Sequence, residues 1–270
     1  MPETDAMTTP GNPAAEPAVP EKSLAVRIGD WFFWSRNVTF PAMLLVMFAL
    51  FKPANTQFGS HNAEIAMDIF AALVVLSGLT LRFATIGWAY IDRGGRKKKV
   101  YASKLVSEGY FALSRNPLYL GNMLIYSGVL LWHGSLPVIL IGIPLFYAIY
   151  SAIIAAEEHF LTRTFGDEYR AYVARVPRWI PDLRRRREVT AGMSFSLKRS
   201  VVKDYTTIYN ALVMVILIEV LDRYWWQPRA DLIRALEVAG VLILLLSAAG
   251  VAVKAFKKRD HRRRVALARG

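Results

Sequence analysis

Six apolar runs punctuate the chain, at about residues 38–51, 64–90, 118–132, 136–156, 205–221 and 232–253. Several approach the ~20 residues that a helix needs to cross the hydrocarbon core of a bilayer. The first is short, and Trp31, Phe32, Phe33 and Trp34 in front of it resemble the aromatic belt of a membrane interface. Only His133, Gly134 and Ser135 separate the third run from the fourth, which predicts a tight antiparallel hairpin. The pattern as a whole predicts an all-α fold, a polytopic membrane bundle of about six transmembrane helices.

Charge sharpens this layout. Apolar residues make up 54% of the 270, yet the formal net charge is +13, so apolarity and basicity must be segregated along the chain. Arg93, Arg96, Lys97, Lys98, Lys99, Lys104 and Arg115 fill the second connection, eleven basic residues lie in 160–204 and eight follow from Lys254. The intervening connections hold Lys52 alone, then none, then Arg223, Arg229 and Arg234. Rich and poor connections alternate if there are six spans, and the positive-inside rule then puts both termini in the cytoplasm. In a bacterium the location would be the inner membrane. Because the basic runs fall between apolar ones, the expected acidic partner is an anionic membrane surface and not nucleic acid. With no cysteine, disulfides, thiolate metal sites and cysteine nucleophiles are excluded.

The expected organisation is a disordered Pro/Ala/Glu-rich tail over 1–23, a membrane core over 24–181, a basic linker over 182–204, an appended two-helix module over 205–256 and a basic tail over 257–270. No internal repeat is evident.

Chemistry-bearing residues converge at one end of the hairpin. In LSRNPLYLGN (113–122), Asn116-Pro117 starts the third span: proline at the first helical position loses no hydrogen bond and its φ is already helical. Arg115 lies just outside the apolar run, Tyr119 in the first turn, and Gly121, Ile125 and Gly128 on one face that a helix or ligand can approach closely. The fourth span returns to the same side and ends in AAEEHFL. Glu157 and Glu158 are adjacent, hence about 100° apart around a helix, and cannot share one task; one is expected to face a cavity and the other solvent. Beyond them, Gly166 should end a helix. Tyr169, Tyr172 and Val176 then recur at helical spacing until Pro177 and Pro181, as in a short amphipathic helix flooring the site. Each feature also has a plain explanation, as a snorkelling arginine, a helix start or interfacial anchors; their convergence favours a site. No metal ligand set is visible, since His61, His133, His159 and His261 are scattered over both sides.

Read together, Gly109-Tyr110, Arg115-Asn116-Pro117-Leu118-Tyr119-Leu120-Gly121, Glu157-Glu158, Phe165-Gly166-Asp167-Glu168-Tyr169-Arg170-Ala171-Tyr172 and Val176-Pro177 through Pro181 resemble the isoprenylcysteine carboxyl methyltransferase and phospholipid methyltransferase superfamily of integral membrane enzymes. The signature covers 104–181. The proline common between Gly109 and Tyr110 is missing, as is the basic residue often found shortly before the paired glutamates. The resemblance implies a cytoplasm-facing S-adenosylmethionine pocket and a lipophilic acceptor entering from the bilayer. It implies that Asn116, Tyr119, Gly121, Glu157 and Glu158 hold the cofactor, with Tyr169 and Tyr172 nearby. A cation should hold an anionic acceptor such as a lipid phosphate or a prenylcysteine-like carboxylate. Arg115 is the first candidate, and Arg82, a basic residue within the second span, is the second. Arg82 could equally snorkel to the interface.

Two other classes share parts of this pattern. Membrane sterol and steroid reductases carry an Arg-His-Pro-x-Tyr segment and use a nicotinamide cofactor, and a non-enzymatic membrane scaffold would also have apolar spans. The last two spans are expected either to wall the lipid entrance or to make a homodimer contact.

Overall fold

The computed structural model describes residues 22–55, 60–88, 93–96, 99–102 and 104–267, most of which are helical. The expected tail lies outside the described residues up to residue 21. The helices are α1 (Leu24–Leu50), α2 (His61–Trp88), α3 (Pro117–His133), α4 (Leu136–Arg175), the single turn α5 (Arg186–Val189), α6 (Leu197–Trp226) and α7 (Arg229–Leu267). Five of them, α1, α2, α4, α6 and α7, are long and apolar enough to cross a membrane. The sixth expected span, α3, has 17 residues, about 25 Å at 1.5 Å per residue. It packs between α2 and α4 and also touches α6, so the shortest span is sheltered by its neighbours.

Local chemistry sets the helix ends. The Ser23 hydroxyl accepts from Val26 N at 3.4 Å, and the Ser196 hydroxyl accepts from Arg199 N at 3.3 Å, capping α1 and α6. Pro117 occupies the first turn of α3, and Gly134 closes it in the left-handed conformation, φ 74°. The hairpin predicted at 133–135 is present. Gly166, at φ 51° and ψ −121°, breaks α4 where the sequence predicts a helix end. Residues 197–204, expected within a linker, form the first two turns of α6. The one departure from an all-helical chain among the described residues is a short antiparallel ribbon, β1 (Arg93–Arg96) with β2 (Lys99–Ala102), in the basic connection. Gly94 and Gly95 disfavour helix there.

Small residues bring the helices together. A Cβ on Gly78 would lie 2.6 Å from Gly121 O, and one on Gly128 would lie 2.5 Å from Val75 Cγ2, so α2 and α3 meet almost backbone to backbone. Gly29 does the same for α1 against Ala152 O of α4, at 2.0 Å. Phe40 sits in the resulting core, edge-on to Tyr126, Phe146 and Tyr150.

Contacts between connections give the sidedness. Ala54 N donates to His133 O at 3.3 Å and Trp226 Nε1 to Pro53 O at 3.0 Å, which gathers the α1–α2, α3–α4 and α6–α7 turns at one end. At the other end Ser196 N donates to Gly87 O at 3.0 Å, and Lys198 of α6 pairs with Asp260 of α7. This second end carries the Lys- and Arg-rich connections and is called the basic side.

Candidate functional site

On the basic side α1, α3, α4 and α6 enclose a cavity of about 740 Å³, with Arg82 of α2 on its wall. Its rim is built by cross-strapping two segments. Ser114 Oγ donates to Trp179 O at 2.9 Å, Arg115 N to Pro177 O at 2.9 Å and Asn116 Nδ2 to Arg178 O at 3.2 Å. The Val-Pro-Arg-Trp segment after α4 thus backs the Arg-Asn-Pro start of α3. Asn116 is only 4% exposed, yet it lines the cavity.

The two glutamates divide their work. Glu157 lines the cavity and is 8% exposed. Glu158, expected with Glu157 to hold the cofactor, does not line the cavity, nor does it simply face solvent. Instead it lies between two guanidinium groups, 3.2 Å from Arg115 Nη1 and 2.9 Å from Arg178 Nη2. The 100° step between neighbours explains the split, and the Pro177-to-Trp179 strap supplies the arginine that draws Glu158 inward. Arg115 also lines the cavity, and its Nε is buried without a hydrogen-bond partner. Such an orphan is costly unless a ligand satisfies it.

Arg82 sits on the cavity wall with its fork fully engaged. Nε donates to Asp204 Oδ2 at 3.2 Å, Nη1 to Leu118 O at 3.3 Å and to Asn122 Oδ1 at 2.7 Å, and Nη2 to Thr207 Oγ1 at 3.1 Å and to Asp204 Oδ1. All five donors are used. The guanidinium neither snorkels to the interface nor is left available for a substrate anion.

The remaining expected residues divide between the cavity and its supports. Tyr119 lines the cavity, its ring 5.8 Å from that of Tyr150. Gly121 faces α2: a Cβ there would meet Arg82 Cγ at 2.4 Å, so it serves the helix crossing rather than a ligand. Tyr169 and Tyr172 do not line the cavity. They pack with Leu161 and Val176 beneath it. The Tyr172 hydroxyl donates to Phe111 O at 2.7 Å, holding the 3-10 turn Gly109–Ala112 whose Phe111 does line the site. They are a second layer below the floor.

Sequence reasoning missed several walls. Arg36 of α1, Asn122 and Tyr126 of α3, Tyr150 of α4 and Asn210 of α6 all line the cavity, and Asp204 of α6 anchors Arg82. The signal available was polarity inside a span, as at Asn122. Arg36 reads as a topology charge until α1 is seen to extend back to Leu24. Among the described residues no group of three or more His, Asp or Glu side chains is placed to hold a metal ion.

Comparison with known proteins follows the same outline. The phospholipid methyltransferase family profile matches residues 65–168. The cobalt-zinc-cadmium resistance protein CzcN of Cupriavidus metallidurans is 30% identical over 183 residues, 67% of this chain and 76% of that protein. The nickel-cobalt-cadmium resistance protein NccN of Alcaligenes xylosoxydans xylosoxydans is 32% identical over 117 residues, 43% of this chain and 53% of that protein. No solved structure matches.

Proposed function

Because the chain belongs to the phospholipid methyltransferase family of integral membrane methyltransferases, we propose that the cavity binds S-adenosylmethionine and methylates a lipophilic acceptor bearing an anionic group, which enters from the bilayer. The basic side would face the cytoplasm, as the positive-inside rule requires.

One observation carries this reading. A carboxylate, Glu157, and a guanidinium with an orphaned buried nitrogen, Arg115, line one cavity together with the amide of Asn116. An amino-acid zwitterion needs this donor set: the carboxylate attracts its ammonium, and the guanidinium and amide attract its carboxylate. Arg115, expected from sequence to meet the acceptor, is therefore assigned to the cofactor end, where Glu158 orients it. The aromatic wall of Tyr119, Tyr126 and Tyr150 offers apolar surface for a heterocycle or an acyl chain.

S-adenosylmethionine supplies a methyl group on a positively charged sulfur. In the transfer the carbon–sulfur bond breaks with its electron pair going to sulfur, and an acceptor lone pair forms the new bond to carbon. A carboxylate or phosphate oxygen needs no base for this, whereas an amine must also lose a proton. The protein's contribution is to hold donor and acceptor in line and away from water, for which effective molarities on the order of 10⁵ M are attainable.

The reading is tested by thermal unfolding of the detergent-solubilised protein with S-adenosylmethionine or NADPH. Stabilisation by the first alone is expected; stabilisation by NADPH alone, or by neither, would overturn it. Incubating membranes with methyl-labelled cofactor should then place label in the lipid fraction.

A further inference from the structure

Three arginines line the cavity: Arg36, Arg82 and Arg115. Two have a carboxylate partner within the protein. Arg82 is paired with Asp204, and Arg115 with Glu158. Arg36 differs. It is the thirteenth residue of the 27-residue α1, is half-buried, and among the described residues has no carboxylate partner. Its guanidinium lies 4.3 Å from the centre of the Phe33 ring, a contact that places the charge without neutralising it. A cation on a membrane-spanning helix, turned to a cavity and lacking a counter-ion, is a strong functional indicator.

The surrounding walls say where its ligand comes from. α1 packs along α4, while α6 packs along α2 and α7, so helix packing does not close the α1–α6 side of the cavity. Asn37 and Pro41 of α1, with Lys203, Thr206 and Asn210 of α6, line the cavity and are exposed. Residues that are both lining and exposed mark an opening, and here it is the seam between α1 and α6. Lys203 adds a second positive charge on the facing wall. Among the described residues, Glu157 is the one acidic side chain that lines the cavity. Deeper in, the walls turn apolar, with Leu44, Val129 and Met214.

We infer that Arg36 is the specificity-determining residue for the acceptor: it holds the anionic head, a carboxylate or a phosphate, of a single- or double-chain amphiphile that enters through the α1–α6 seam. The inference rests on the methyltransferase reading for what is then done to that acceptor, but the binding step stands apart from it. A neutral lipophile such as a long-chain alcohol leaves Arg36 uncompensated and is rejected. Both cations on the two helices beside the seam, Arg36 of α1 and Lys203 of α6, lie outside the segment 65–168 that matches the family. Acceptor choice thus belongs to what surrounds the shared core.

The test is ligand-dependent thermal unfolding of the full chain in neutral detergent, with oleate, dioleoyl phosphatidate, oleyl alcohol and inorganic phosphate as probes. Oleate, phosphatidate or both should stabilise the wild type, and which one does identifies the anion. Oleyl alcohol and inorganic phosphate should not. Arg36→Gln should raise the half-saturating amphiphile concentration by about tenfold or more, the loss expected for a charge-assisted hydrogen bond, with Arg36→Lys falling between. Arg27→Gln removes the same charge from an exposed position on α1 and should change nothing. S-adenosylmethionine should stabilise the wild type and Arg36→Gln alike. Equal amphiphile binding by Arg36→Gln and wild type, an equal loss in Arg27→Gln, or no amphiphile binding by the wild type would overturn the assignment. Amphiphile binding that depends on Arg36 without any cofactor binding would uphold it while defeating the methyltransferase reading.

Discussion

Arg82 of α2 and Asp204 of α6 form an ion pair with side chains 12% and 1% exposed, joining the segment that matches the family to a helix outside it. The pair makes α6 a wall of the site rather than a peripheral addition, since Thr207 on the same helix completes the arginine's hydrogen bonds. Ser200 strengthens the junction by donating to Phe83 O at 2.9 Å. A buried pair of this kind is weak evidence of net stabilisation, but removing one partner strands the other.

Asp204→Ala is therefore expected to destabilise the detergent-solubilised protein by about 3–5 kcal/mol. The double variant Arg82→Met, Asp204→Leu should recover much of that loss. Chemical unfolding of the two variants beside the wild type checks both expectations. A single variant as stable as the wild type would show that the pair does not anchor α6.

The adjacent glutamates should separate by phenotype. Glu157→Gln keeps the fold but should weaken S-adenosylmethionine binding by about tenfold or more, since the neutral amide no longer attracts an ammonium. Glu158→Gln frees Arg115 and Arg178 from their shared carboxylate. It should therefore lower both stability and cofactor affinity. Calorimetric binding and thermal unfolding of each variant distinguish the two patterns.

Gly121→Ala should behave as an overpacking change and not as a ligand-contact change. The added methyl meets Arg82 Cγ at 2.4 Å and Gly78 O at 2.9 Å. A loss of about 1–3 kcal/mol is expected, visible as a lower midpoint of unfolding, with cofactor affinity falling no further than the loss of folded protein explains.

Tyr172→Phe deletes only the hydroxyl that holds Phe111 O. A loss of about 0.5–1.5 kcal/mol in stability is expected. Tyr169→Phe, for comparison, should leave the Phe111 turn held. Partial proteolysis within 104–113 would report loosening of that turn in the first variant and not in the second.

The order of the membrane helices was legible in the chain because a bilayer rewards uninterrupted apolar runs and punishes stray charge; their full lengths were not, since α1, α4, α6 and α7 run on into polar sequence. The hairpin at 133–135, the helix start at Asn116-Pro117 and the break at Gly166 were equally legible, because each depends on backbone preferences that act over a few residues. So was the pairing of one loop-back's two ends, which brings Arg115, Asn116, Tyr119 and Glu157 to one rim. What folding alone could assign is which partner each charge meets. Arg82 and Asp204 are 122 positions apart, and Glu158 reaches Arg178 only because the Pro177-to-Trp179 strap doubles back on α3. Tyr169 and Tyr172 repeat as a buried face whether they touch a ligand or, as here, the layer beneath one. Arg36 gains meaning only because no carboxylate among the described residues pairs with it, and local sequence carries no record of that, because electrostatic pairing follows distance through the bundle and not distance along the chain.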